Sequence, residues 1–63
     1  MKYEVADIIK QEIDGFPTHH FLIINFIKYG ADSEMYKAMH METGDINTLN
    51  LYKVFQFEVT KVA

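Results

Sequence analysis

The residues of this chain with the widest chemical range are its three histidines. His19 and His20 stand side by side in "THHF", and His40 sits between two methionines in "MHM". Imidazole nitrogen is a ready ligand for zinc, copper and nickel. Neighbours on an extended chain point to opposite faces, so His19 and His20 do not meet on one ion without an irregularity in the strand. His19 and His40 offer a pair, but two ligands make a poor site, since even an open zinc site takes three from the protein. Met39, His40 and Met41 are soft enough for Cu(I). On a helix, however, the three side chains diverge by about 100° per residue. Met39 is better read as core and Met41 as an adaptable apolar contact. No residue is therefore expected as a metal ligand, and histidine-mediated binding of a metal or small ligand stands as an alternative reading.

Catalytic groupings are thinner still. Asp7, Glu12 and Asp14 flank a turn, where carboxylates are ordinarily solvated. Ser33, the only serine, is better used to start a helix. Gly15, Gly30 and Gly44 each stand alone at an element boundary, so no glycine-rich loop cradles a phosphate. A chain of 63 residues has little volume for a closed active site. The expectation is a non-enzymatic protein without a cofactor.

Composition narrows the partners. The net charge is −3, with six lysines spread singly and no arginine. Phosphate backbones need clustered basic residues, so nucleic acid is not an expected partner. The apolar run Phe21–Ile24 extends only to Ile27 across Asn25, far below the roughly 20 residues of a spanning helix. "MKYEVADII" lacks the continuous apolar stretch of a signal peptide. The absence of cysteine rules out disulfides and fits a reducing cytoplasm, the expected location. At 49% hydrophobic residues the chain can build a core. A domain this small buries only about 60% of its unfolded surface, however, and oligomerisation is the expected extra support.

These residues must be held by few elements, and one domain over residues 1–63 is expected. "THHFLIINFIKYG" is rich in strand-favouring residues. Phe21, Ile23 and Ile27 fall on one face with Asn25, and Leu22, Ile24 and Phe26 on the other. In "LYKVFQFEVTKVA", Phe55, Phe57 and Val59 alternate with Gln56, Glu58 and Thr60, the period of a half-buried strand. Between them, Ala31, Met35, Ala38 and Met39 fit a helical stripe with Asp32 or Ser33 as cap and Gly44 past the end. That places a helix at Ser33–Thr43, with "DINTLN" as a polar loop. The N-terminal segment reads either as a strand, with the "DG" of Asp14-Gly15 as a hairpin signal, or as a helix stopped by Gly15 and Pro17. The expected fold is α+β, a three-stranded antiparallel sheet under one helix in the order ββαβ, with αβαβ as the alternative.

One helix covers one sheet face. With Phe21, Ile23, Phe55, Phe57 and Val59 inside, Leu22, Ile24 and Phe26 are left for a partner, and exposed aromatic patches mark interfaces. A homodimer, or a complex with another protein, is expected, with Tyr36, Met41, Tyr52 and Glu58 as further partner-binding residues. The segment "FEVTKV" (Phe57–Val62), following a helix-then-strand order, resembles the small RNA-polymerase inhibitor proteins of T7-like phages. The resemblance implies a class of function: a phage-encoded inhibitor that binds and blocks a host enzyme or defence protein in the host cytoplasm. A small bacterial structural or regulatory subunit is the alternative.

Overall fold

The computed structural model describes residues 3–52 and 58–63. Among the described residues there are five strands: β1 (Ile8–Gln11), β2 (His19–Tyr29), β3 (Ser33–His40), β4 (Ile46–Tyr52) and β5 (Val59–Lys61). They form one antiparallel sheet in the order β4-β3-β2-β1-β5. The first four strands make a meander, and β5 returns to the far side of β1. No helix among the described residues is long and apolar enough to cross a membrane.

The expected α+β fold, ββαβ or αβαβ, is overturned: the protein is all-β, and there is no helix at Ser33–Thr43. That segment is β3 and the turn after it. Glu34, Met35, Lys37, Ala38 and Met39 are good helix formers in isolation. Their strand conformation comes from pairing on both edges, with β2 on one side and β4 on the other. Alternation at period two is present as well, because Glu34, Tyr36 and Ala38 are buried while Lys37 between them is exposed. The "DINTLN" loop is also overturned: Ile46–Tyr52 is β4, with Leu49 and Leu51 turned to the core.

The core lies on one face of the sheet. Ile9, Ile23 and Tyr36 are fully buried, at 0–1% exposure, and Tyr3, Ala38 and Leu51 join them. Phe21, Phe26, Leu49 and Val59 pack around this cluster. Cross-strand register explains the grouping, since Ile9 lies opposite Phe21, Ile23 opposite Ala38 and Tyr36 opposite Leu49. Tyr3 folds over the cluster from the N-terminal side. Its ring stands edge-on to Tyr36 at 6.0 Å, and its amide donates to the Tyr36 hydroxyl.

The expected division of faces in β2 holds for its first half only. Between Ile23 and Asn25, and again between Phe26 and Lys28, the β2–β3 register shifts, leaving Ile24 and Ile27 without partners across the ladder. Each extra residue reverses the alternation that follows it. Phe26 therefore moves to the core face, opposite Tyr36 and in edge contact with it at 5.6 Å. Ile27, expected on the core face, is exposed. Leu22 lies on the second face, opposite Ile8 and Met39. The expected core positions Phe55 and Phe57 lie outside the described residues. Val59 packs against the core as expected.

Turns carry two of the isolated glycines. Gly15, at φ +82°, sits in the turn closed by the Phe16 amide on the Ile13 carbonyl, so the "DG" signal marks the β1–β2 hairpin. Gly44, at φ +80°, serves the β3–β4 turn. The left-handed conformation expected there is present, but it closes a hairpin and not a helix.

Asp7 ties the two ends of the chain together. Its Oδ2 accepts the Glu4 amide at 2.9 Å, and its Oδ1 meets Lys61 Nζ at 3.2 Å. The Glu4 amide first, and Lys61 after it, hold the carboxyl below the usual aspartate value. A carboxyl lowered on folding stabilises the fold above its unfolded value of about 3.9, and that contribution is lost as pH falls through the lower folded value. Asp7→Asn should therefore lower the urea midpoint more at neutral pH than near pH ~2, because the deficit shrinks as the Asp7 carboxyl is protonated. An equal deficit at both pH values would assign the loss to packing.

Core position can be read by substitution. Ile23→Ala should cost about 2–5 kcal/mol, against a total of roughly 3–9 kcal/mol for a domain this size. Ile24→Ala, at the unpaired bulge position, should cost about 1 kcal/mol or less. Equal costs in urea unfolding would mean that the bulge does not separate the two side chains.

Candidate metal centre

The sheet brings the sequence's histidines to one end. His19 and His20 open β2, and His40 closes β3. Phe21 pairs with His40 in the register, so His19, two residues before Phe21, shares the face of the His40 ring. His19 Nδ1 lies 2.6 Å from His40 Nε2, and the ring centroids are 4.8 Å apart. At that distance one nitrogen carries the hydrogen and the other accepts it. Phe21 stands beside both rings, at 6.4 Å from His19 and 5.3 Å from His40, giving the pair an apolar floor.

The third group comes from the β3–β4 turn. The His40 amide donates to the Asp45 carbonyl, and the Gly44 amide donates back to the His40 carbonyl, closing the turn. This closure swings Glu42 toward the start of β2. Its Oε1 accepts the His20 amide at 2.8 Å, and its Oε2 meets His20 Nδ1 at 2.6 Å. The His20 amide first, then the His20 ring, hold the Glu42 carboxyl down at about 2. Glu42 is thus a fixed anion near neutral pH, with Oε1 3.5 Å from His40 Nε2. One donor atom each from His19, His40 and Glu42 lies within 4.8 Å of the others.

Further contacts orient these groups. His40 Nδ1 lies 2.8 Å from Thr43 Oγ1, which also accepts the Asp45 amide at 3.2 Å. With Nδ1 engaged by Thr43, Nε2 is the nitrogen turned toward His19 and Glu42. His20 points to the opposite face from His19, as expected, and acts through Glu42. An outer group that fixes the orientation of a ligand is a usual feature of metal sites.

The donor set suits zinc-class ions. Zinc ligands at about 2.0–2.1 Å in tetrahedral array stand about 3.3 Å apart. An ion thus needs the His19 and His40 nitrogens to part by about 0.7 Å, within reach of two half-buried rings. Zinc, cobalt and nickel accept two imidazoles and a carboxylate, whereas calcium and magnesium prefer all-oxygen sites. Sequence reasoning paired His19 with His40 and missed Glu42. The signal was the spacing His-x-Glu-Thr-Gly, which only a turn folds onto itself.

Other candidate groups are scattered. Met39, His40 and Met41 diverge: Met39 is half-buried opposite Leu22, His40 is on the core face, and Met41 is exposed in the turn. Asp7 is tied to Lys61 and Glu12 to Lys10, and Asp14 is exposed in the β1–β2 turn. Of the seven expected partner-binding residues, Met41 and Tyr52 are exposed, and Leu22, Ile24 and Glu58 are partly covered. Phe26 faces the core, and Tyr36 is fully buried, so the expectation of exposed contacts there is corrected. Tyr36 fails as a surface residue because it lies on the core face of a strand paired on both edges, and its hydroxyl is used internally, by Tyr3.

No protein-family model, curated protein or solved structure matches this chain. The helix that supported the resemblance to phage inhibitors is absent. What remains of it is the segment Phe57–Val62, of which Glu58–Val62 lie among the described residues.

Proposed function

We propose that this chain is a small metal-binding domain that takes one divalent ion of the zinc class through His19 Nδ1, His40 Nε2 and the Glu42 carboxylate. The observation that carries this reading is the convergence of three donor atoms, from β2, β3 and the turn between β3 and β4, within 4.8 Å. Glu42 and His40 are held before any ion arrives, by His20 and Thr43 respectively. Binding then orders few groups that are not already ordered. The ion replaces the hydrogen shared by His19 and His40 and links the first residue of β2 to the last turn of the meander. Three protein ligands leave a coordination position for water or an exogenous ligand.

A domain of this size without disulfides gains much from such a link. An ion present at about 100 times its dissociation constant adds about 2.7 kcal/mol to stability. In a domain this small that moves the melting temperature by roughly 10–20 °C. Untagged protein heated with Zn²⁺, Co²⁺ or Ni²⁺ should show this shift at a stoichiometry of one. His40→Gln or Glu42→Gln should remove it, and His20→Ala should weaken binding about 10–100-fold through loss of the Glu42 clamp. A melting temperature unmoved by all three ions, or moved equally in His40→Gln, would overturn the reading.

The exposed side chains of Met41 and Tyr52 favour a second reading, a non-enzymatic protein-binding module. Blocking of a host protein, which the phage-inhibitor resemblance implies, is one form of it. A pull-down of the tagged chain, compared with the Tyr52→Ala variant, tests it by whether one stoichiometric protein is lost.

A further inference from the structure

The two edges of the sheet are unlike. β5 has three residues and carries Lys61. β4, "INTLNLY", has seven residues with no charge and no proline, and its pairing with β3 runs without a register shift. Sheet edges are normally blunted by charge, proline, bulges or shortness. β4 has none of these devices, and no described strand lies beyond it. Its exposed apolar side chains, Ile46 at 53% and Tyr52 at 50%, stand at its two ends on one face.

We infer that β4 pairs antiparallel with β4 of a second copy of this chain, joining two five-stranded sheets into one of ten strands about a two-fold axis through Leu49. The inference rests on the strand's backbone and gives the protein-binding reading a partner. It does not depend on the metal site.

Hydrogen-bond parity fixes the register. The His40 amide reaches the Asp45 carbonyl. In an antiparallel ladder, inward and outward residues alternate. Asn47, Leu49 and Leu51 therefore bond to β3, while Ile46, Thr48, Asn50 and Tyr52 direct their amides and carbonyls outward. A two-fold operation that engages all four outward residues pairs Ile46 with the partner's Tyr52 and Thr48 with the partner's Asn50. Leu49 then meets the partner's Leu49 in a non-hydrogen-bonded pair, where Cα atoms stand about 4.5 Å apart. This places the apolar ends of each strand against each other, twice, on one face. On the other face it sets Leu49 beside its own copy next to both cores. The absence of charge on β4 matters here, because self-pairing sets each residue near its own kind, and any charge would face its like.

The parent protein at micromolar concentration should weigh twice 7.4 kDa by light scattering. The double variant Thr48→Lys, Asn50→Lys should weigh half as much with an unchanged circular dichroism spectrum. The variant Thr48→Lys, Asn50→Glu should restore the dimer, since the new charges are opposite across the axis. In a chain without native cysteine, Leu49→Cys should cross-link to its own copy on mild oxidation, and Ile46→Cys should not. A monomeric parent overturns the proposal while leaving a foreign protein partner untouched. A dimer that survives Thr48→Lys, Asn50→Lys also overturns it and moves the contact to another surface, the Leu22 and Met39 face first. Cross-linking of Ile46→Cys as readily as Leu49→Cys rules out this register.

Discussion

The antiparallel pairing of β2 with β3 is the constraint on which the rest of the molecule depends. It is the central ladder of the sheet, and both strands contribute fully buried side chains, Ile23 and Tyr36. Its register is irregular, and the irregularity has a purpose that can be stated physically. Eleven residues of β2 run against eight of β3. A strict alternation from Ile23 would place Asn25 and Ile27 inward and Phe26 outward. The first shift puts the large aromatic Phe26 against Tyr36 and lets Asn25 face away from the core. The second leaves Ile27 outside and sets Tyr29 opposite Glu34. A phenylalanine inward in place of an asparagine avoids the burial of an amide without a partner, which is worth several kcal/mol.

The same pairing makes the histidine cluster. Once Ile23 lies opposite Ala38, regular alternation toward the sheet's end puts Phe21 opposite His40, and His19 follows on the same face. The bulges lie on the other side of Ile23, so they rearrange the core without disturbing the histidines. A slip of one residue at this end would turn His19 away from His40 and bring Leu22 to the core face. The core and the candidate metal centre are therefore two readouts of one register. Burial of Ile23, Phe21 and Tyr36 is what holds that register in place.

How much of this was legible in the sequence depends on where local preference and tertiary pairing agree. β2 was legible, because its β-branched and aromatic residues have no better home than a sheet. The hairpin before it was legible from Asp14-Gly15, since the φ of Gly15 is a local matter. β3 was not. Its glutamate, methionines, lysine and alanine favour a helix on their own, and pairing on both edges overrides a preference of a few tenths of a kcal/mol per residue. β4 was hidden by Asn47 and Asn50, residues rare in strands, which are tolerated here because both are exposed on the sheet's outermost strand. A bulge cannot be read from alternation at all, because the pattern shows only after the register is known. That single gap misplaced Phe26 and Ile27. The error in β3 then hid Glu42: on a helix His40 and Glu42 point roughly 200° apart, whereas a hairpin turn folds them onto one site.

The turn that carries Glu42 also sets the start of β4, and this joins the site to the sheet's edge. Thr43 Oγ1 accepts the Asp45 amide and contacts His40, and the Asp45 carbonyl accepts the His40 amide. Ile46, the next residue, begins the ladder with β3 opposite Met39. Whatever fixes His40 and Glu42 therefore fixes the point at which β4 leaves the turn, and with it which residues of β4 face outward. The link is short, three residues from Glu42 to Asp45, and joins one backbone hydrogen bond, His40 to Asp45, to the short Thr43 side chain. It follows that the β4 edge is best defined when the turn is held at both ends, by the Gly44 conformation on one side and the Glu42 contacts with β2 on the other. In a chain with so small a core, a turn anchored at both ends spares β4 much of the entropy of ordering an edge strand that nothing else among the described residues covers.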